Sequence, residues 1–137
     1  MWKNSFSREI AAPAAVIWGL FCHVDGWKEW NAGIEAMEIF GPFAAGTRFR
    51  MKPPGQEALD SQLLEVCENE VFVDETHVGD LTVLVSHRLE VLGDRRTRVT
   101  YQVEAYGPGC SEVGPAISAD FPAVLDALAA LAVRKSG

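Results

Sequence analysis

Hydrophobic residues recur along this chain with periods that change several times. In WKNSFSREI, residues 2–10, Trp2, Phe6 and Ile10 stand among polar neighbours, as in a half-buried strand. APAAVIWGLF follows. Val16, Leu20 and either Ile17 or Phe21 recur there at helical spacing, and Pro13 suits a helix's first turn, so the pattern predicts a short helix over 13–22. In DGWKEWN, Asp25 is the expected cap of a second short helical turn, ended by Asn31-Ala32-Gly33. From Ile34 the period drops to two. IEAMEIF reads as a strand broken by GPFAAG, and TRFRMK sets Thr47, Phe49 and Met51 against Arg48, Arg50 and Lys52. ALDSQLLEV, VFVDETH, LTVLVSHRLEV and TRVTYQVEAY bring the total to seven strands. Six are consecutive with short connections, which predicts an antiparallel meander. Residues 113–134 return to helical spacing at Val124, Leu125, Leu128, Leu131 and Ala132, with a kink or restart expected at Pro122.

A twisted antiparallel sheet with one apolar face has to be covered, and the terminal helix is the only element long enough. Its covering face is expected to be rich in alanine: Ala119, Ala123, Ala127, Ala129, Ala130 and Ala132. A curved sheet gripping so small a surface leaves space, which argues for an internal pocket. The expected fold is therefore α+β: a seven-stranded curved antiparallel sheet, two short helices and a long C-terminal helix over it, in one domain spanning 1–137.

In this order the segments resemble a known superfamily. IAAPAAVIWGLFCHVDGWKEWNAGI is similar to its pattern of Pro, then Val-Trp, then a conspicuous Trp and an Ile. GPFAAGTRFRM is similar to its Gly-x-x-x-x-Gly hairpin, and SHRLEVLGDRRTRVTYQVEAYG and DFPAVLDALAALA complete the match over about 130 residues. The chain resembles the helix-grip (SRPBCC) superfamily of START domains, birch-pollen-allergen-like proteins and polyketide cyclase/dehydrase-like proteins, and is closest to the last group. The resemblance implies a cavity for an apolar or aromatic small molecule. It leaves the chemistry open, because function resides in the site rather than the fold.

The turns give registers, and the registers give candidate residues. A turn at Gly93-Asp94-Arg95 sets Leu89 opposite Val99 and His87 opposite Tyr101, with the apolar residues of both strands in phase. A three-residue turn Val78-Gly79-Asp80 sets Glu75 opposite Val83. Leu64 and Val66 share a face with Asp60 and Gln62. His87, Tyr101, Glu75, Gln62 and Asp60 are thus expected to point inward. A histidine on an apolar strand face is more often a satisfied core group than a catalyst, and Tyr101 alone would satisfy it. Several polar groups converging on an apolar wall, however, is how ligand pockets are built. In the catalytic reading Glu75 reaches His87, the pair moves a proton beside a carbonyl, and Tyr101 holds the enolate-like oxygen. Trp27 and Trp30 either plug the open end of the sheet or line the cavity mouth. Phe40, Phe43 and Met51 are placed at the opposite rim. Phe49, Met51, Val85, Val103, Phe121 and Leu125 complete the expected lining. GPGC, residues 107–110, is either a hinge or a sharp strand-to-helix connection.

Composition narrows the partners. Twelve basic and nineteen acidic residues give a net charge of −7, which argues against nucleic acid or an anionic membrane surface. The Arg48, Arg50, Lys52 stripe reads as a solvated face. IAAPAAVIWGLFCHV looks like a signal core, but Pro13 interrupts it, Glu9 precedes it and no polar cleavage region follows. No membrane span is expected, since no apolar run approaches about 20 residues. Three widely spaced cysteines, Cys22, Cys67 and Cys110, suggest reduced thiols and a cytoplasmic protein. His23, His77 and His87 lack metal-ligand spacing, so neither a metal nor a cofactor is expected. The leading expectation is a binder of a hydrophobic or aromatic small molecule, monomeric or homodimeric, with catalysis left open; its enzyme version is a cofactor-independent cyclase, dehydratase or isomerase using His87, Tyr101 and Glu75. A carrier or sensor uses the same pocket for affinity alone. A chaperone-cofactor-like interaction module would instead need an exposed apolar patch.

Overall fold

A computed structural model describes residues 1–136. Its seven strands are β1 (Trp2–Ile10), β2 (Ala36–Ile39), β3 (Arg48–Lys52), β4 (Leu59–Cys67), β5 (Val71–Val78), β6 (Leu81–Gly93) and β7 (Arg96–Tyr106). They form one antiparallel sheet in the order β1-β7-β6-β5-β4-β3-β2. Strands β2 to β7 are the expected meander. β1 closes it by pairing with β7, Phe6 opposite Tyr101.

Helix α1 (Ala14–Cys22) begins after Pro13 and buries Ile17, Trp18, Leu20 and Phe21. The next turn, Val24–Glu29, is 3₁₀ and lacks the expected side-chain cap: Asp25 lies inside its first turn, and the capping position belongs to His23. The C-terminal segment is two helices, α2 (Cys110–Ser118) and α3 (Phe121–Ser136). Pro122 falls in the first turn of α3, where the missing N–H has no intrahelical partner to lose, so the chain restarts there. Taken as one segment, Cys110–Ser136 has the length and composition of a membrane span, contrary to the sequence expectation. In the fold it is the core helix of the grip: Val124, Leu125, Leu128, Ala129 and Ala132 are buried.

The covering face is thus mainly branched side chains. Ala119, Ala123 and Ala130 are exposed and do not face the sheet. α3 packs tightly, and the hollow lies beneath the junction of α2 and α3. The main core runs from α1 across Trp27, Trp30 and Phe72 to Leu89, Val99 and Tyr101, with a smaller cluster at Val83, Val85, Val103 and Ala105.

Two local features set which side chains reach that hollow. Val78 pairs with Leu81, so the β5–β6 hairpin turns in two residues, Gly79 and Asp80, with Gly79 at φ +60°. A glycine in the first central position is the mark of a type II′ hairpin. Compared with the three-residue turn expected, the pairing shifts by one, and every β5 side chain changes face. Asp74 and Thr76 point in, and Glu75 and His77 point out. In β4 a bulge between Leu63 and Glu65 shifts the phase, so Leu59, Ser61 and Leu63 face inward before it and Val66 pairs with Phe72 after it.

Candidate functional site

A cavity of about 170 Å³ lies between the sheet and the α2–α3 junction. Its apolar walls include Trp27, Trp30, Phe49, Met51, Phe72 and Phe121, and its polar groups include Asp74, Thr76, His87 and Tyr101. Asn31, Gly33 and Asp120 line the mouth. Gly33 lies close against the Asp120 side chain: a Cβ there would come within 2.8 Å of its carboxylate, which would have to swing aside.

His87 sits deep in this wall. Its Nδ1 lies 3.2 Å from the Phe72 carbonyl oxygen, which accepts only if the ring proton is on Nδ1; Nε2 then carries the free lone pair. The Phe72 ring stacks on the imidazole at 3.8 Å with an interplanar angle of 7°. Tyr101 meets it edge-on at 4.5 Å. Burial in these aromatic surroundings depresses the imidazole to about 3, despite the opposing Phe72 hydrogen bond. Asp74 Oδ2 stands 3.9 Å from His87 Nε2, too far for a hydrogen bond. Burial lifts its carboxyl to about 7. Burial, and then the charge of Asp74, raise the Tyr101 hydroxyl above its ordinary value, so it stays a donor; it has no partner among the described residues. The Trp30 indole N–H is likewise buried without a partner, whereas that of Trp27 donates to the Phe21 carbonyl at 2.9 Å.

This assembly can do acid–base chemistry among buried groups. Near neutral pH the carboxyl is divided between its acid and base forms, the imidazole is an uncharged acceptor, and the phenol is a fixed donor.

A family model described as polyketide cyclase / dehydrase and lipid transport matches residues 1–133. The chain belongs to this polyketide cyclase/dehydrase family. Several solved structures share the fold of this family member. A Mesorhizobium loti protein is 18% identical with a TM-score of 0.82, covering 97% of this chain and 98% of that one. Norcoclaurine synthase from Thalictrum flavum, as a point mutant with a transition-state analogue, is 17% identical with a TM-score of 0.80, covering 99% and 96%. A Nitrosospira multiformis protein is 16% identical with a TM-score of 0.76, covering 96% of each chain. No curated protein matches the sequence.

In this polyketide cyclase/dehydrase-family protein, His87, Tyr101, Trp27, Trp30, Phe49, Met51, Val85 and Phe121 line the cavity. Val103 and Leu125 do not; they are buried in the core. The tryptophans are both core and lining. Phe43 packs among Trp18, Trp27 and Phe72, away from the rim, and Phe40 lies exposed beside the Arg50 guanidinium.

Three expected inward groups are corrected. Glu75 faces outward and contacts His77 at 2.9 Å, so it cannot reach His87. Asp60 pairs with Arg50 at 2.9 Å, and Gln62 donates to the Gly46 carbonyl at 3.1 Å. All three line a depression on the outer face with Arg48 and His77. They do converge, but on the outer side of the sheet: Glu75 rested on a register one residue off, and Asp60 and Gln62 on the face of Leu64 and Val66, whose phase the β4 bulge breaks. Asp74, missed in the sequence, takes the position intended for Glu75. The Gly79-Asp80 dipeptide between Val78 and Leu81 was the signal that would have found it.

Arg50 and Lys52 are neutralised by Asp60 and Glu35, so the basic stripe is mostly paired. The exposed large apolar side chains among the described residues are Met1, Phe40, Leu64, Val91, Leu92, Tyr106 and Val133, and Val91 and Leu92 are neighbours at the end of β6. Among the described residues, no three His, Cys, Asp or Glu side chains are grouped as a metal would require.

Proposed function

We propose that this protein binds a small aromatic molecule of about one ring in its cavity and moves a proton on it. The observation carrying this reading is the Asp74–His87 pair, 3.9 Å apart in the wall of an apolar cavity beside the unpartnered Tyr101 hydroxyl. An engineered cavity of about 150 Å³ holds benzene. A hollow of about 170 Å³ therefore suits a single ring with a short substituent better than a lipid chain or fused polycycle. Asp74 is the proton shuttle, since a group titrating near working pH is most effective as both acid and base. His87 Nε2 faces it as an acceptor and positions its proton. Tyr101 donates to the oxygen on which charge develops, in the manner of an oxyanion donor. The reaction class is proton abstraction or return beside a carbonyl, as in an isomerase, dehydratase or cyclase. Norcoclaurine synthase, an enzyme of this fold solved with a transition-state analogue, supports the catalytic reading. The whole chain acts as one ligand-binding domain, and its three free thiols support a reducing, cytoplasmic setting.

The test uses phenylacetone, a one-ring ketone with exchangeable α-protons, in D₂O. Proton NMR should read deuterium uptake faster with the protein than in buffer, and Asp74→Asn should lower that catalysed rate about 100-fold or more. Quenching of Trp27 and Trp30 fluorescence reports binding independently. Equal exchange in both proteins removes the catalytic reading; binding retained alongside it identifies a carrier.

A further inference from the structure

We propose that the cavity is built for an amine-bearing aromatic ligand whose ammonium group is held by Asp74. This rests on the cavity being a ligand site, as argued above, and adds the sign of the ligand's charge. Two carboxyls line the hollow, Asp74 inside and Asp120 at the mouth, and among the described residues no lysine or arginine does. Asp74 is only 9% exposed, and no described residue donates a hydrogen bond to it. Its neighbour His87 presents a lone pair rather than a proton, because the ring proton is committed to the Phe72 carbonyl. A buried carboxyl whose neighbours are the His87 lone pair and the neutral Tyr101 hydroxyl lacks a counter-charge within the protein. An ammonium supplies both the missing charge and the missing donors, to Asp74 and to His87 Nε2 together.

The remaining walls suit the same group. Trp27, Trp30 and Tyr101 bring aromatic rings to the lining, and ring quadrupoles attract a cation and stack on a ligand ring. The same composition selects against anions. A carboxylate or phosphate ligand would enter past Asp120 and rest beside Asp74 with no cation to meet it, and unpaired like charges are an effective means of rejection. The net charge of −7 steers cations toward the protein in the same sense.

Calorimetric titration at about pH 8, where the carboxyl is largely ionised, compares three probes of one size: 2-phenylethylamine, 2-phenylethanol and phenylacetate. The amine should bind about tenfold more tightly than the alcohol, one decade of affinity, and phenylacetate more weakly than either. In Asp74→Asn the amine-to-alcohol ratio should fall to about one. Asp120→Asn should lower amine affinity only about twofold, as for a solvated charge. An alcohol that matches the amine, or an amine preference that survives Asp74→Asn, overturns the assignment while leaving the cavity as a ligand site. Failure of all three probes to bind overturns both readings.

Discussion

Two imidazole–carboxylate pairs are built around β5, on opposite faces of one sheet. Outside, His77 and Glu75 approach to 2.9 Å, with the Thr82 hydroxyl 3.3 Å from the other ring nitrogen. Inside, His87 and Asp74 stand at 3.9 Å, with side chains only 11% and 12% exposed. The closer pair is the less consequential one. Water screens the outer pair, and exposed ion pairs contribute little to stability. Desolvation drives the inner groups toward their neutral forms, in opposite directions on the pH scale. Burial, rather than proximity, is what shifts the protonation of such a pair.

The largest effect that tests this contrast comes from the wall that buries the inner pair. Phe72 is 1% exposed and stacks on His87. Phe72→Ala should cost about 3–5 kcal/mol in urea unfolding. The outward Leu64, 43% exposed, should cost under about 1 kcal/mol as Leu64→Ala. Similar losses at both positions would mean that the inner face is not the organised one.

A smaller effect lies in the pH dependence of stability. Folding lowers His87 from 6.5 to about 3, so the folded state resists a proton that the unfolded chain accepts; stability falls as pH drops below about 6.5. Folding raises Asp74 from 3.8 to about 7, so the folded state keeps a proton that the unfolded chain releases; stability falls as pH rises from about 4 to 7. Between about pH 4 and 6.5 the two slopes oppose and nearly cancel. Removing either partner should expose the other's slope, up to about 1.4 kcal/mol per pH unit. Relative to the unmodified protein, Asp74→Asn should lose stability on acidification, and His87→Leu should lose it on alkalinisation. Chemical denaturation from pH 4.5 to about 6.5 reads both. Parallel curves for all three proteins would mean that the pair is solvated after all.

The smallest effect belongs to the outer pair. Glu75→Gln should change stability by less than about 0.5 kcal/mol and leave phenylacetone exchange unaltered. A loss of exchange in that variant would restore Glu75 as a functional partner and break the comparison.

Much of the architecture was legible because it rests on local patterns. Period-two alternation located the strands, Pro13 marked a helix start and Pro122 a kink or restart, and the apolar phase of β6 and β7 paired Leu89 with Val99 and His87 with Tyr101. That register survives a bulge beyond Val91, where the chain turns through Asp94-Arg95. The site was legible only in part. Val71 is 4% exposed although it belongs to the outward phase of β5, so apolar content alone does not fix that strand's facing. In β4 the adjacent Leu63 and Leu64 conceal the bulge that separates their environments.

By itself, then, the sequence determined which segments are strands, which are helices, and that His87 and Tyr101 share a wall. Tertiary structure decided that Asp74 rather than Glu75 joins them, and that the hollow lies under the α2–α3 junction rather than under the alanines of α3. The reason is that facing in a strand has a period of only two, so one residue more or less in a turn or bulge exchanges the inner and outer sets completely. Where a cavity forms depends on how helix and sheet meet, which no single segment encodes.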